Sequence, residues 1–161
     1  MTRLFTRYPA LVDRWLEKNP IDFVADVPFA RLDKPLSECR LGLVTTGGVY
    51  VDGQLPYDLS DGDGDSGWRP LPSDTPRDRL RIAHDSYDTT AALLDPNVVY
   101  PLERARQLVD AGRLGGLVDE HVGLNGHIDG KHLTALVERT APVIAAHFRD
   151  QRADIVLLAP A

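Results

Sequence analysis

Apolar and polar positions along this chain fall into two rhythms, one of three to four residues and one of two. Residues 4–18 carry Leu4, Tyr8, Leu11, Val12, Trp15 and Leu16 at helical spacing, which predicts an amphipathic helix stopped at Asn19-Pro20. The proline-punctuated stretch 20–38 reads as a connector along the surface, with Trp15 and Phe23 as packing anchors. Leu41-Gly42-Leu43-Val44-Thr45-Thr46 is the first strong strand, and it ends in Gly47-Gly48. Residues 52–76 form a long polar, Asp/Gly-rich loop. Leu80 to Asp85 alternates and reads as a second strand. Pro101 opens a helix over 102–109, and Gly112 lies just past its end. A further helix over 131–149 carries Leu133, Leu136, Val137, Thr140, Ile144 and Phe148 on one face, with Pro142 predicting a kink or break. His132 and His147 read as surface residues of that helix.

The last run, Ile155 to Ala159, is uninterruptedly apolar, as in a strand buried on both faces of a parallel sheet. It follows the 131–149 helix as the second strand of a strand–helix–strand crossover. The pattern predicts a three-layer α/β fold with a mostly parallel, Rossmann/flavodoxin-like sheet and flanking helices. We read one domain over 1–161, with 1–37 as helix and connector and 38–161 as the core. In open α/β sheets, ligands collect past the carboxyl ends of the strands, and here the terminal strand leads straight into that region.

Composition narrows the function classes. Hydrophobic content of 43% and charged content of 26% are ordinary globular values. A net charge of −6 and no clustered basic face argue against nucleic acid. No apolar run approaches the roughly 18 residues of a membrane span, and no apolar segment follows Arg3 and Arg7 to make a signal peptide. The lone cysteine, Cys39, rules out an internal disulfide and fits a reducing, cytoplasmic setting. It reads as a buried structural residue at the far edge from the strand ends.

Candidate chemistry gathers at those ends. Thr45, Thr46 and Gly47 close the first strand, where either a ligand contact or a plain tight turn fits. No phosphate-loop pattern accompanies them. His84 ends the second strand with Asp85 and is suited to proton transfer, although a lone histidine is more often structural. Asp61-Gly62-Asp63-Gly64-Asp65 imitates the start of a calcium loop, but Ser66 and Pro72 stand where that loop needs glycine and glutamate. Trp68 either closes over a site or pins the loop. His121 and His127 lack metal-ligand spacing, so no metal is expected, and Asn125-Gly126-His127 reads as a polar turn lining a cleft.

Asp95-Pro96-Asn97-Val98-Val99-Tyr100-Pro101-Leu102-Glu103-Arg104 resembles the Asp-x-Asn-x-x-Phe-Pro-Leu-Asp-Arg segment of the selenoprotein B family of glycine, betaine, sarcosine and D-proline reductases. The resemblance continues through Gly112 to Gly115, His121, Asn125 to Ile128 (where the family often has Met-Gly) and Ala153 to Pro160. Earlier, Gly42 to Gly48, Ser66 to Pro72 and His84 also match, so it covers roughly residues 38–161. It implies reductive cleavage of a C–N bond in a small amino-acid or betaine-like substrate. In that family the strand ending Leu-Leu-x-Pro runs into a selenocysteine or cysteine, which here would come just past Ala161. Selenocysteine is encoded by a stop codon, so the expectation is a reductase subunit whose reading frame was ended at a recoded stop. A short paralogue without the redox group is the competing explanation.

The resemblance further implies a partner subunit whose pyruvoyl group holds amine substrates as a Schiff base, and a thioredoxin-like reductant, with no cofactor in this chain itself. The cleft beside the nucleophile would be lined by Thr45, Thr46, Gly47, His121, Asn125 and Pro160, with His84 and His127 as proton donors to the leaving amine. A non-catalytic binding or assembly subunit, and a metal-dependent hydrolase using the Asp61–Asp65 loop with His84, are the other readings. An uncovered terminal strand would also favour docking or a homo-oligomer.

Overall fold

The computed structural model describes residues 30–161 and, before them, Ala10, Asp13, Arg14 and Glu17, which are helical. The remainder of the expected 4–18 helix, and residues 20–29 of the connector, lie outside the described residues. The chain divides into two compact units, 1–31 and 32–161. The second unit is built on a five-stranded sheet.

Strand β1 (Arg40–Thr45) is the spine. Its period-two pattern sends Leu41 and Leu43 into one core, with Leu102, Ala105 and Leu114, and Val44 into another, with Val122, Ile144 and Phe148. Helix packing therefore covers both sides of β1. Gly42 lies beneath Phe148: a Cβ there would fall 2.5 Å from Phe148 Cε1. Gly42→Ala should destabilise the unit by about 2 kcal/mol through overpacking, read as a shift in the urea midpoint.

The sheet is mixed but mostly parallel. β5 (Gly116–Leu117), β6 (Glu120–Leu124) and β7 (Ile155–Ala159) each run parallel to β1. β3 (Trp68–Pro72) pairs antiparallel with β6, Trp68 opposite Leu124 and Pro72 opposite Glu120. This strand lies within the stretch expected to be loop. Its two prolines are tolerated because it pairs on one side only. Trp68 therefore belongs to a strand; it packs against the Val44–Phe148 core, its ring 5.0 Å from that of His147.

Two further expectations are corrected. The second strand is β4 (Leu80–Ile82), and it pairs antiparallel with β2 (Val49–Val51) in a separate two-stranded sheet. Gly48, at φ +68°, turns the chain out of the central sheet into β2, so β4 never joins β1. The terminal strand β7 is also not buried on both faces. It pairs only with β1, and Val156, Leu157 and Leu158 are 42%, 47% and 68% exposed. Among the described residues nothing pairs its outer edge.

The helices are α1 (Thr90–Leu94), α2 (Leu102–Asp110), α3 (Gly130–Ala135) and α4 (Ala141–Asp150). Between α3 and α4, Leu136–Thr140 forms a π-helical turn in which the Ala141 N–H reaches back to Leu136 O. Pro142 sits in the first turn of α4, where its missing N–H costs little, and the expected break appears as this widened turn. His132 and His147 are not free surface residues. His132 Nε2 meets Asp61 Oδ2 at 3.1 Å, and His147 Nε2 lies 2.9 Å from Gln151 Nε2.

Candidate functional site

The carboxyl ends of β1, β6 and β7 meet at Thr45–Gly48, Leu124–His127 and Ala159–Ala161. The Thr46 N–H donates to Ala159 O at 3.1 Å, and the Ala161 N–H donates to Thr46 Oγ1 at 3.1 Å. Thr46 thus fixes where the chain passes after Pro160. Thr45 is buried and its hydroxyl is used internally, donating to Val99 O at 2.7 Å and accepting the Gly47 N–H. Gly47 bridges to Asn125, and a Cβ on Gly47 would meet Val99 at 2.8 Å. Thr45 and Gly47 therefore shape the floor, while Thr46 faces the strand end.

His84 reaches this edge by a different route from the one its sequence position suggests. It follows the antiparallel β2–β4 pair, beside which the Ala83 N–H donates to Gly48 O at 2.9 Å. That bond carries His84 across to Thr46 and Gly126. Its Nε2 is buried without a partner. Burial lowers the pKa of His84; neighbouring Asp85 opposes the shift and His127 adds to it.

Asn125 and His127 share a polar cleft of about 160 Å³ with Asp85, Ser86 and the 58–64 loop. Asn125 is buried and its Oδ1 accepts the His127 N–H at 2.9 Å. The exposed His127 places Nε2 2.9 Å from Gly62 O, so that nitrogen carries a hydrogen. The loop that walls this cleft is docked on the body of the unit, not merely solvated. Its close succession of aspartates and glycines was the signal available: the glycines let it approach the 127–130 backbone.

The same loop is engaged by protein partners. Asp61 pairs with Lys131 Nζ at 2.6 Å and with His132, and the pair holds its carboxyl well below the usual range. Asp65 accepts from Gly67 N and pairs with Arg69 at 3.2 Å. Asp63 lies against Gly130. The three carboxylates are turned to separate partners, and among the described residues no cluster of three or more His, Cys, Asp or Glu is arranged to hold a metal.

Among the predicted residues, His121 stands apart from the edge. His121 is wholly buried in mid-strand, its Nδ1 accepting the Leu43 N–H at 3.1 Å and its ring against Tyr100. Desolvation pushes its pKa down to about 4. Pro160 is exposed at the strand end, between Ala159 and Ala161. Cys39 is buried at the opposite end of β1, its thiol donating to Pro35 O at 3.3 Å.

Compared with known proteins, residues 14–161 match the family model for glycine/sarcosine/betaine reductase selenoprotein B. The chain belongs to this selenoprotein B family. It is 28% identical over 125 residues to the D-proline reductase subunit gamma of Acetoanaerobium sticklandii, covering 78% of this chain and 50% of that relative. The chain thus spans about half the length of the curated relative it matches. No solved structure matches it. Among the described residues, no helix of this family member is long and apolar enough to cross a membrane.

Proposed function

We propose that this chain is part of a selenoprotein-B-type reductase subunit that cleaves the C–N bond of glycine, betaine, sarcosine or D-proline-like substrates. The nucleophile would be a selenocysteine or cysteine directly after Ala161. The observation that supports this is the tie between the Ala161 N–H and Thr46 Oγ1, beside His84. A residue following Ala161 would emerge at the edge where the strand ends converge. A selenol ionises far more readily than a thiol, so such a residue would be a ready nucleophile at neutral pH.

In this reading Thr46, Asn125 and Pro160 line the substrate space, Thr45 and Gly47 shape its floor, and His121 supports it from the core. Proton delivery to the departing amine falls to His84 and His127. His127 is exposed at the cleft, whereas burial favours the neutral form of His84, which takes up a proton before it can deliver one. The relative's name, a reductase subunit, supports assembly with other subunits. A pyruvoyl group on a partner would supply an electrophilic carbonyl to hold amine substrates, and a thioredoxin-like protein would return electrons. We further propose a cytoplasmic location and a sheet completed beyond β7 in Rossmann/flavodoxin-like order.

The test begins with the coding DNA after Ala161: a UGA followed by an open frame with a nearby cysteine codon is the expected result. In the complete, assembled protein, His84→Ala/His127→Ala should lower amine release by about 100-fold or more, measured with a dithiol reductant. Unchanged turnover would remove both histidines from the mechanism. A second reading, a binding or assembly subunit without the redox group, is favoured by one observation. An open apolar groove of about 460 Å³ lies beside β7, lined by Val44, Ile144, Phe148, Val156 and Leu158. A UAA or UAG codon with no downstream frame would give that reading the lead.

A further inference from the structure

The surroundings of His84 carry one step more, which rests on the proposed function for the identity of the nucleophile. The Ser86 backbone N–H donates to His84 Nδ1 at 3.0 Å. A ring nitrogen that accepts carries no hydrogen, so the neutral imidazole bears its hydrogen on Nε2. The ring is held edge-to-face against Tyr87, centroids 4.6 Å apart, and the Tyr87 hydroxyl donates to Gly47 O at 3.0 Å. Ring plane and tautomer are therefore both set by neighbours.

Nε2 points to where a side chain on Gly126 would be. A Cβ there would lie 2.9 Å from Nε2, 2.6 Å from Thr46 O and 3.3 Å from Thr46 Oγ1. That Oγ1 is the atom accepting the Ala161 N–H. The missing side chain at 126 thus leaves a buried, unpartnered N–H and Thr46 Oγ1 facing one space, and Thr46 Oγ1 in turn holds the Ala161 N–H. The titratable groups that act on the ring are Asp85 on its own segment and His127 across the cleft.

We propose that Ser86 and Gly126 are positioning residues for His84, presenting its Nε2–H as a fixed donor to the sulfur or selenium anion of the residue after Ala161. A neutral N–H stabilises such an anion by hydrogen bonding without protonating it. The bond would also offset the cost of an otherwise unpaired buried donor.

The test uses the full chain in two measurements. Long-range ¹⁵N–¹H correlation on histidine-labelled protein should show His84 as the Nε2–H tautomer at pH 7, and a mixture of tautomers in Ser86→Pro, which lacks the donor. With one cysteine added after Ala161, alkylation rate against pH reports the thiolate, and the chain without it corrects for Cys39. His84→Ala and Gly126→Ala should each lower reactivity at pH 7 by about tenfold, one pKa unit. His84→Gln, which keeps an N–H donor, should recover part of it. Ser86 is on an exposed segment, so Ser86→Pro keeps the test decisive where Gly126→Ala fails to fold. An Nδ1–H tautomer, or equal reactivity across these variants, overturns the proposal. Equal reactivity with the Nε2–H tautomer present defeats this inference alone. A reading frame that ends at Ala161 defeats the proposed function and removes the natural anion, whereas the supplied cysteine still tests whether His84 is a donor at that position.

Discussion

Exchanging His121 for leucine is expected to lower the unfolding free energy by about 1 kcal/mol at pH 7, with a deficit that shrinks and then reverses as the pH falls. The cause lies in the register. β1 pairs with β5 at Leu41↔Leu117 and with β6 at Val44↔Val122, and the Leu43 N–H falls in the gap between them. His121 Nδ1 fills that gap at 3.1 Å. Leucine keeps the bulk and removes the buried, unpartnered His121 Nε2–H, but it leaves the Leu43 N–H without its acceptor. The pH dependence follows from the lowered pKa of His121. The unfolded chain takes up a proton near pH 6.5, while the folded chain resists until about 4. The His121 contribution is therefore complete above pH 6.5 and is lost as the pH falls from there towards 4, by up to about 3 kcal/mol. Urea midpoints of both proteins at pH 7.5 and 4.5 check this. A gap of constant size would mean that His121 is not a buried neutral acceptor.

Gly64→Ala should undock the 58–66 loop and cost about 2 kcal/mol or more. Gly64 sits at φ +85° and bridges Ile128, and a Cβ on it would lie 1.7 Å from His127 O. A backbone carbonyl cannot move aside as a side-chain tip can. The Asp129 N–H to Asp63 O bond at 2.9 Å and the His127 contact with Gly62 O depend on the same approach. Faster hydrogen exchange over 58–66 and 127–130, with β1 and β6 unchanged, is the expected signature. Gly62→Ala is the control, because a Cβ there meets nothing within 4 Å. In the complete protein, if it has the proposed function, losing this wall of the cleft should raise KM. If exchange over 127–130 stays as in the native protein, the loop is not held through Gly64.

Much of this was legible from local pattern. The alternation in β1, the Pro101 start and Gly112 stop around α2, and the proline-marked break before α4 all act within a few residues of backbone. Segments governed by distant partners were not. Pro70 and Pro72 argue against a strand until β6 is seen to pair on one side only. Leu80–Ile82 reads alike for either sheet, and Gly48 decides between them. His121 and His127 look equivalent as letters, yet one fills a register gap in the core and the other is exposed at a cleft. The Asp61–Asp65 loop showed its charge but not Lys131 and His132, which take up Asp61 from the next helix.

The sequence by itself determined the mixed α/β class, the terminal apolar strand and the resemblance to the selenoprotein B family, because periodicity and short motifs are properties of neighbouring residues. Tertiary structure alone decided that, among the described residues, β7 pairs with β1 alone and leaves Val156, Leu157 and Leu158 exposed. It also decided that His84 arrives by the β2–β4 pairing next to Gly48, and that Gly126 makes room for it beside Thr46. Those outcomes depend on which backbone groups meet across 40 to 115 positions of chain, and hydropathy carries no information about the identity of a distant partner.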